Sequence, residues 1–152
     1  MIDIADRLAF SEKAFIAGAS ALVDGAPILC DCEMLSAGVI RRFLPAKNQI
    51  VVTLNDPSVP ELAKTISNTR SAAAVELWIN QLEGAVVAIG NAPTALFRLL
   101  ELIDQGAPKP AVILGFPVGF VGAAESKAEL AGNSRGCAVS YTHLTLPTSV
   151  IV

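Results

Sequence analysis

The sequence predicts an α/β fold, with three α/β/α layers built around a mostly parallel sheet. Short uncharged runs rich in Val, Ile and Leu, typical of strands buried on both faces, alternate with longer segments of helical periodicity. Glycine- and proline-containing connections separate them and are short, as in right-handed crossovers between parallel strands. The length of 152 residues fits one domain.

The first predicted element is a helix that Ser11 caps and that runs to about Val23. Its spacing places Phe15, Ile16 and Ala19 on the inward face. A strand over 27–30 and a short helix over 34–40 follow.

Two acids, Asp31 and Glu33, lie where this strand ends and the short helix begins. They could perform general acid–base chemistry. They could equally cap the helix and favour its dipole. The sequence leaves both interpretations open.

The middle of the chain continues the alternation of strands and helices. After the turn at 45–48, an apolar run over 49–54 predicts a strand, and helices are predicted over 59–66 and 71–81. Arg70 opposes the dipole at the entrance of the second helix, so a partner is expected. That partner is a ligand, or the carboxylate of Asp56 or Glu76.

The segment 85–127 repeats a strand–turn–helix unit. The uncharged run 85–89 precedes Gly90 and a helix that begins at Pro93, and the run 110–114 precedes a glycine-rich turn and a helix carrying Lys127. Such turns follow the carboxyl ends of parallel strands, where helix N–H groups favour anions. The glycine spacing fits no dinucleotide or Walker motif. Alternatively, the glycines only allow close packing of helix and strand.

Composition argues against several classes of protein. The formal net charge of −3, with one Trp and one Tyr, lacks the basic and aromatic footprint of nucleic-acid binders. No apolar run approaches the roughly 18 residues of a membrane span. The start carries no secretory pattern, so we expect a cytoplasmic protein. The spacing of Cys30, Cys32 and Cys137 fits neither a disulfide framework nor a metal hook, and we expect buried thiols and no metal.

Several long motifs follow one another along the chain. They are GAPILCDCEM (25–34), LPA (44–46), NTRSAAA (68–74), GNAPTAL (90–96) and GFPVGFVGAAESK (115–127). In this order, the motifs resemble the precorrin-8X methylmutase family of cobalamin biosynthesis, and the resemblance covers the chain from about Asp3 to about Gly136.

This resemblance implies an isomerase that moves a methyl group from C-11 to C-12 of precorrin-8X, or of cobalt-precorrin-8, without a cofactor. The product of the metal-free reaction is hydrogenobyrinate, and the sequence of residues 30–34 favours the metal-free substrate over the cobalt-containing one. The resemblance also implies a flavodoxin-like strand order and a homodimer. Seven residues within the matching motifs are the expected substrate-binding groups, holding the carboxylates of the macrocycle. They are Arg70, Ser71, Asn91, Thr94, Gly115, Gly119 and Lys127.

The histidine that the resemblance implies as catalytic acid would align just before Met1, so we expect no catalytic residue in this chain. Domain bounds of 1–136 are predicted, without the family's first helix and final strand. Residues 137–152, which include His143, are expected to be a non-native tail. A shortened methylmutase with little or no activity is the leading hypothesis. A non-catalytic corrinoid-binding or carrier module and a nucleotide-binding domain are the alternatives.

Overall fold

The computed structural model describes residues 6–119 and 121–142. Six strands form one sheet: β1 Leu8–Phe10, β2 Ile28–Cys30, β3 Ile50–Val52, β4 Val86–Ile89, β5 Val112–Gly115 and β6 Ala138–Thr142. Six α-helices accompany them: α1 Ala14–Val23, α2 Glu33–Gly38, α3 Val59–Thr65, α4 Arg70–Glu76, α5 Pro93–Asp104 and α6 Ala123–Gly132. No helix in these ranges is both long and apolar enough to span a membrane.

The strand order is β1-β6-β5-β4-β2-β3. Strands β2 to β6 are mutually parallel, and only β1 pairs antiparallel, with β6. Numbered along the chain, the five parallel strands have the flavodoxin-like order 2-1-3-4-5. The predicted fold class and strand order are therefore confirmed.

Apolar side chains cover both faces of the sheet. On one face, Leu29, Val87 and Ile113 pack with α5 residues and with Trp78, which follows α4. On the other, Ile28 and Val86 pack with the small residues of α1. Because alternate strand residues point to opposite faces, each parallel strand contributes to both layers, as its uncharged sequence predicts.

The predicted orientation of α1 is wrong. Phe15, Ile16 and Ala19 are exposed, and the buried residues are Ala14 and Ala21. A Cβ atom built on Gly18 would lie 3.3 Å from Cγ1 of Val112, so the helix packs closely on the sheet through its small residues. Every residue of this helix but one is apolar or glycine, and close approach rather than polarity decides which face turns inward.

The predicted cap of this helix is also wrong. Lys13 precedes α1 without a side-chain cap, whereas the Ser11 hydroxyl accepts the N–H of Val139 at 3.1 Å. Ser11 therefore joins the start of α1 to β6.

The single helix predicted over 71–81 is two shorter elements in the structure. The helix α4 ends at Glu76, and a 3₁₀ turn follows over Ile79–Gln81.

The expected loss of the final strand is wrong as well. Residues 138–142 form β6, which pairs with β5 on one side and with β1 on the other. The boundary at residue 136 and the foreign origin of the residues beyond it stay predictions. His143 lies outside the described residues.

Candidate functional site

The two glycine-containing turns follow the neighbouring strands β4 and β5 at the carboxyl edge of the sheet. Strand β4 has β2 as its other neighbour. From β2 the chain continues to β3 on one side, whereas from β4 it continues to β5 on the other side. This reversal of direction opens a crevice between the ends of β2 and β4, which is where open α/β sheets bind ligands. The residues after these strands are Asp31 and the turn 90–92.

Asp31 bridges this crevice. Its side chain is buried, and its carboxylate accepts the N–H groups of Gly90 at 3.1 Å, Asn91 at 2.9 Å and Ala92 at 2.8 Å. Neither role considered for Asp31 agrees with this geometry. It does not cap α2, whose N-cap is Cys32 without a side-chain bond, and both carboxylate oxygens are engaged by donors.

Two threonine hydroxyls connect the starts of α4 and α5. The Oγ1 atoms of Thr69 and Thr94 are 2.8 Å apart and share a hydrogen bond. Thr69 is also the N-cap of α4, because its Oγ1 accepts the N–H of Ala72 at 3.1 Å. Thr94, on the first turn of α5, is thereby fixed against the neighbouring helix, and the Asn91 side chain just before it is exposed.

Arg70 is the first residue of α4 and extends over the end of β3. Its guanidinium donates to the carbonyl of Leu54 at 3.2 Å and lies 3.4 Å from Oδ1 of Asn55. The two carboxylates considered as its partners are engaged elsewhere, since Glu76 pairs with Arg98 and Asp56 binds Ser58. The Arg70 side chain is held by neutral oxygens and remains exposed, so its charge is available to an anion.

The glycine residues of the second turn meet the first turn at Pro93. Gly122 precedes α6 with φ of 82°, and a Cβ on it would lie 3.3 Å from Cβ of Pro93. Gly119 has φ of 149° and lies near the same proline, with a built Cβ 3.9 Å from its Cγ. The positive φ values explain why glycine is needed here. Pro93, which begins α5, therefore lies close to both glycine residues.

Gly115 faces the protein interior. It is buried at the end of β5, and a built Cβ would lie 2.7 Å from Cδ2 of Leu130 on α6. This contact supports the packing interpretation of the glycine. A ligand-binding role for Gly115 stays a prediction.

Lys127 lies on the buried side of α6. Its Nζ is 3.5 Å from Oγ1 of Thr142 in β6, and burial lowers the pKa of its ammonium group below the ordinary value. A cavity of about 350 Å³ adjoins it, lined otherwise by alanines of α6 and by Tyr141 and Thr142. Lys127 therefore lies towards β6, whereas Arg70, Ser71, Asn91 and Thr94 gather at the starts of α4 and α5.

The two thiols beside Asp31 are buried, as predicted, and so is that of Cys137. Burial, with the neighbouring Asp31 charge as a smaller cause, raises the pKa of Cys30 to about 11. Burial also raises the pKa of Cys32. These groups are therefore neutral packing residues of the strand end at ordinary pH.

Large apolar side chains are exposed on the segments that follow β2 and β5. Val118 and Val121 flank the second turn and are 52% and 88% exposed. Met34, at the start of α2, is 68% exposed, and the next residue, Leu35, packs against Gly90. Apolar side chains interspersed with a few polar groups and a cation suit a large flat ligand that carries acidic substituents.

Sequence reasoning missed Thr69 and the role of Asp31. Thr69 could have been found, because threonine before a run of alanines is a favourable N-cap. Asp31 could not, since its three partners lie 59 to 61 residues further along the chain.

The chain is similar to known proteins of one family. The family model described as precorrin-8X methylmutase matches residues 1–144. A precorrin-8X methylmutase of Pseudomonas aeruginosa is 62% identical over 136 residues, which are 90% of this chain and 65% of that protein. A cobalt-precorrin-8 methylmutase of Priestia megaterium is 38% identical, over 85% of this chain and 58% of its own length.

A solved structure also resembles this fold. The precorrin-8x methyl mutase of Thermus thermophilus superposes with a TM-score of 0.82 and 37% identity, covering 95% of this chain and 69% of that one. The chain thus spans somewhat less than two-thirds of the length of the curated relatives it matches. With a family model that matches nearly all of its residues and a shared fold, this chain belongs to the precorrin-8X methylmutase family.

Proposed function

We propose that this chain binds precorrin-8X at the carboxyl edge of its sheet and serves the migration of a methyl group from C-11 to C-12, which gives hydrogenobyrinate. The observation that carries the proposal is the family match over residues 1–144. Substrate and product are isomers, so the reaction balances without a methyl donor or a redox cofactor.

The geometry of the edge supports this substrate class. The macrocycle is a broad apolar ring bearing carboxylate arms. Met34, Val118 and Val121 offer exposed apolar surface to the ring. Arg70 offers an exposed guanidinium, and Asn91 an exposed amide, to the carboxylates.

The metal-free substrate is the one we propose. The support is that identity is higher to the Pseudomonas aeruginosa relative, whose name specifies precorrin-8X, than to the Priestia megaterium relative, whose name specifies cobalt-precorrin-8. Comparing the affinities of hydrogenobyrinate and its cobalt complex tests this choice. Equal or reversed affinities would contradict it.

The polar groups found at the described edge, Arg70 and Asn91, account for binding of the ligand. We therefore expect this chain to bind hydrogenobyrinate. A corrinoid-binding module predicts binding without conversion of precorrin-8X, whereas the isomerase predicts both.

The experiment is to mix the purified chain with precorrin-8X, follow hydrogenobyrinate absorption, and titrate hydrogenobyrinate in parallel. Arg70→Ala should weaken binding about tenfold, as expected for loss of a charge-assisted hydrogen bond. Lys47→Ala, which removes an exposed cation before β3 at the opposite edge, is the matched control. Conversion of precorrin-8X to hydrogenobyrinate would support the isomerase, and binding without conversion would favour the corrinoid-binding module. A chain that neither binds hydrogenobyrinate nor converts precorrin-8X would refute the proposal. A higher melting temperature with ATP or NAD would favour the nucleotide-binding alternative.

We further propose a homodimer in the cytoplasm. What supports the dimer, besides the resemblance, is the outward face of α1, where Phe15 and Ile16 are 63% and 73% exposed and Phe10 packs on Phe15. Unpaired thiols suit a reducing compartment. Ile16→Asp should convert the dimer to monomer in sedimentation experiments, whereas Ile40→Asp, at another exposed isoleucine, should not. A monomeric parent chain would refute the dimer.

A further inference from the structure

The turn between β4 and α5 already holds an anion of the protein itself. Asp31 is 3% exposed, and its two carboxylate oxygens accept the three successive N–H groups of Gly90, Asn91 and Ala92 at 2.8 to 3.1 Å. N–H groups at the start of a helix are donors that often bind a ligand's phosphate or carboxylate. The three N–H groups of the turn that precedes α5 are instead occupied by Asp31.

This bridge is the link between the ends of β2 and β4. The strands pair with Cys30 opposite Ala88, and Asp31 itself donates its N–H to the Ala88 carbonyl at 3.2 Å. The aspartate is therefore fixed by its own backbone, and its side chain then fixes the turn. Hydrogen bonds from N–H groups to a carboxylate are strong, and three of them restrain the conformation of this turn.

The residues held by the turn are those with exposed or shared polar groups. Asn91 contributes its N–H to Asp31 while its side chain points into solvent. Thr94 follows three residues later, and its hydroxyl meets that of Thr69 at 2.8 Å. The bridge from Asp31 thus sets where both side chains lie relative to α4 and Arg70.

We infer that Asp31 is a positioning residue of the tetrapyrrole site: its carboxylate occupies the N–H groups of the turn 90–92 and orients Asn91 and Thr94, so that side chains, and not the N–H groups of this turn, bind the carboxylates of the ligand. The inference rests on the proposed function for the identity of the ligand. It assigns Asp31 no proton transfer, because both of its oxygens act as acceptors within the turn.

The test is a double-mutant cycle measured by hydrogenobyrinate titration of the complete chain. Asp31→Asn keeps the volume but places an NH₂ group against one or more of the turn N–H groups, so we expect affinity to fall about tenfold. In an Asn91→Ala background, Asp31→Asn should lower the affinity much less, because the Asn91 side chain that it would displace is already absent. In an Arg70→Ala background the full loss should persist, since Arg70 is held separately by Leu54 and Asn55.

A purely structural role predicts a different pattern. Asp31→Asn would then lower the melting temperature yet bind hydrogenobyrinate like the parent chain at temperatures where both are folded, and that result would overturn the inference. Equal losses of affinity in the Asn91→Ala and Arg70→Ala backgrounds would overturn it too.

Nuclear magnetic resonance of the unsubstituted protein provides a second test should Asp31→Asn fail to fold. The N–H groups of Gly90, Asn91 and Ala92 should be protected from hydrogen exchange without ligand and should keep their chemical shifts when hydrogenobyrinate binds, while the side-chain amide of Asn91 shifts. Rapid exchange in the free protein, or large shifts of all three N–H signals on binding, would refute the inference. Failure of the parent chain to bind hydrogenobyrinate would instead refute the proposed function, while the exchange protection still reports on Asp31.

Discussion

Replacing Gly115 by alanine tests whether the glycine residues of this family motif serve packing or ligand binding. The added Cβ would lie 2.7 Å from Cδ2 of Leu130, which must move by about 0.7 Å to restore an ordinary contact of 3.4 Å. Leu130 is fully buried, so its side chain has to rearrange within the packed interior. Overpacking of this kind costs about 1–3 kcal/mol. For a domain of this size, that lowers the melting temperature by about 3–10 °C.

The clash can be separated from other effects by a double-mutant cycle. Leu130→Ala alone should cost about 2–5 kcal/mol, because it leaves a cavity. In that background Gly115→Ala should be nearly neutral, since the next atoms, Cδ2 of Leu96 and the carbonyl oxygen of Ser140, are at 3.5 and 3.8 Å. Gly132→Ala at the end of α6 is the matched control, where a Cβ meets nothing within 4 Å and should stabilise by about 0.5–1 kcal/mol.

Urea unfolding monitored by Trp78 fluorescence measures the four free energies of unfolding, and hydrogenobyrinate titration measures ligand affinity. We expect the stability losses to be strongly non-additive and the affinity of Gly115→Ala to equal that of the parent chain below its melting temperature. If Gly115→Ala lowers the free energy of unfolding as much in the Leu130→Ala background as in the parent chain, the packing argument is refuted. Loss of affinity without loss of stability would show that Gly115 contacts the ligand.

Two further predictions concern charged groups. Burial lowers the pKa of Lys127 in the folded chain below its value in the unfolded chain, so the unfolded chain binds more protons between the two pKa values. The free energy of unfolding should therefore rise with pH across that range. Lys127→Met should remove this rise, and an unchanged pH dependence would contradict the prediction. Arg98→Ala should lower the free energy of unfolding in urea by about 2–4 kcal/mol, because it leaves the mostly buried Glu76 unpaired. Glu101→Ala removes only an exposed partner of Arg98 and should lower it by about 0–1 kcal/mol. Equal losses for the two variants would contradict this assignment.

The sequence predicted the parallel strands and most helices because their signals are local. An uncharged run such as 86–89 is buried wherever it lies, and Pro93 starts a helix irrespective of its neighbours. The orientation of α1 was not predictable in the same way. All ten of its residues except Ser20 are apolar or glycine, so no polar face indicates which side is outward, and the choice depends on how closely Gly18 can approach Val112.

The candidate site was likewise predictable where its signals are local and not where it depends on contacts between distant segments. The side chains at helix starts, such as Arg70 and Thr94, followed from the motifs and from the rule that ligands bind beyond the carboxyl ends of parallel strands. The bridge from Asp31 to the turn 90–92 did not follow, because nothing near Asp31 in the chain distinguishes a helix cap from a partner on the adjacent strand. Only the pairing of β2 with β4 brings that turn within reach.

The position of β6 has a consequence for how the protein forms during synthesis. Within the described residues β1 pairs only with β6, and Leu8 aligns with Thr142 across 134 residues of chain. Loop closure over such a distance is slow compared with local helix formation. While the ribosome is still elongating the chain, β2 to β5 can assemble as each is completed, but β1 waits with its apolar side chains uncovered. A nascent chain of this protein should therefore rely on chaperones at β1 until β6 emerges.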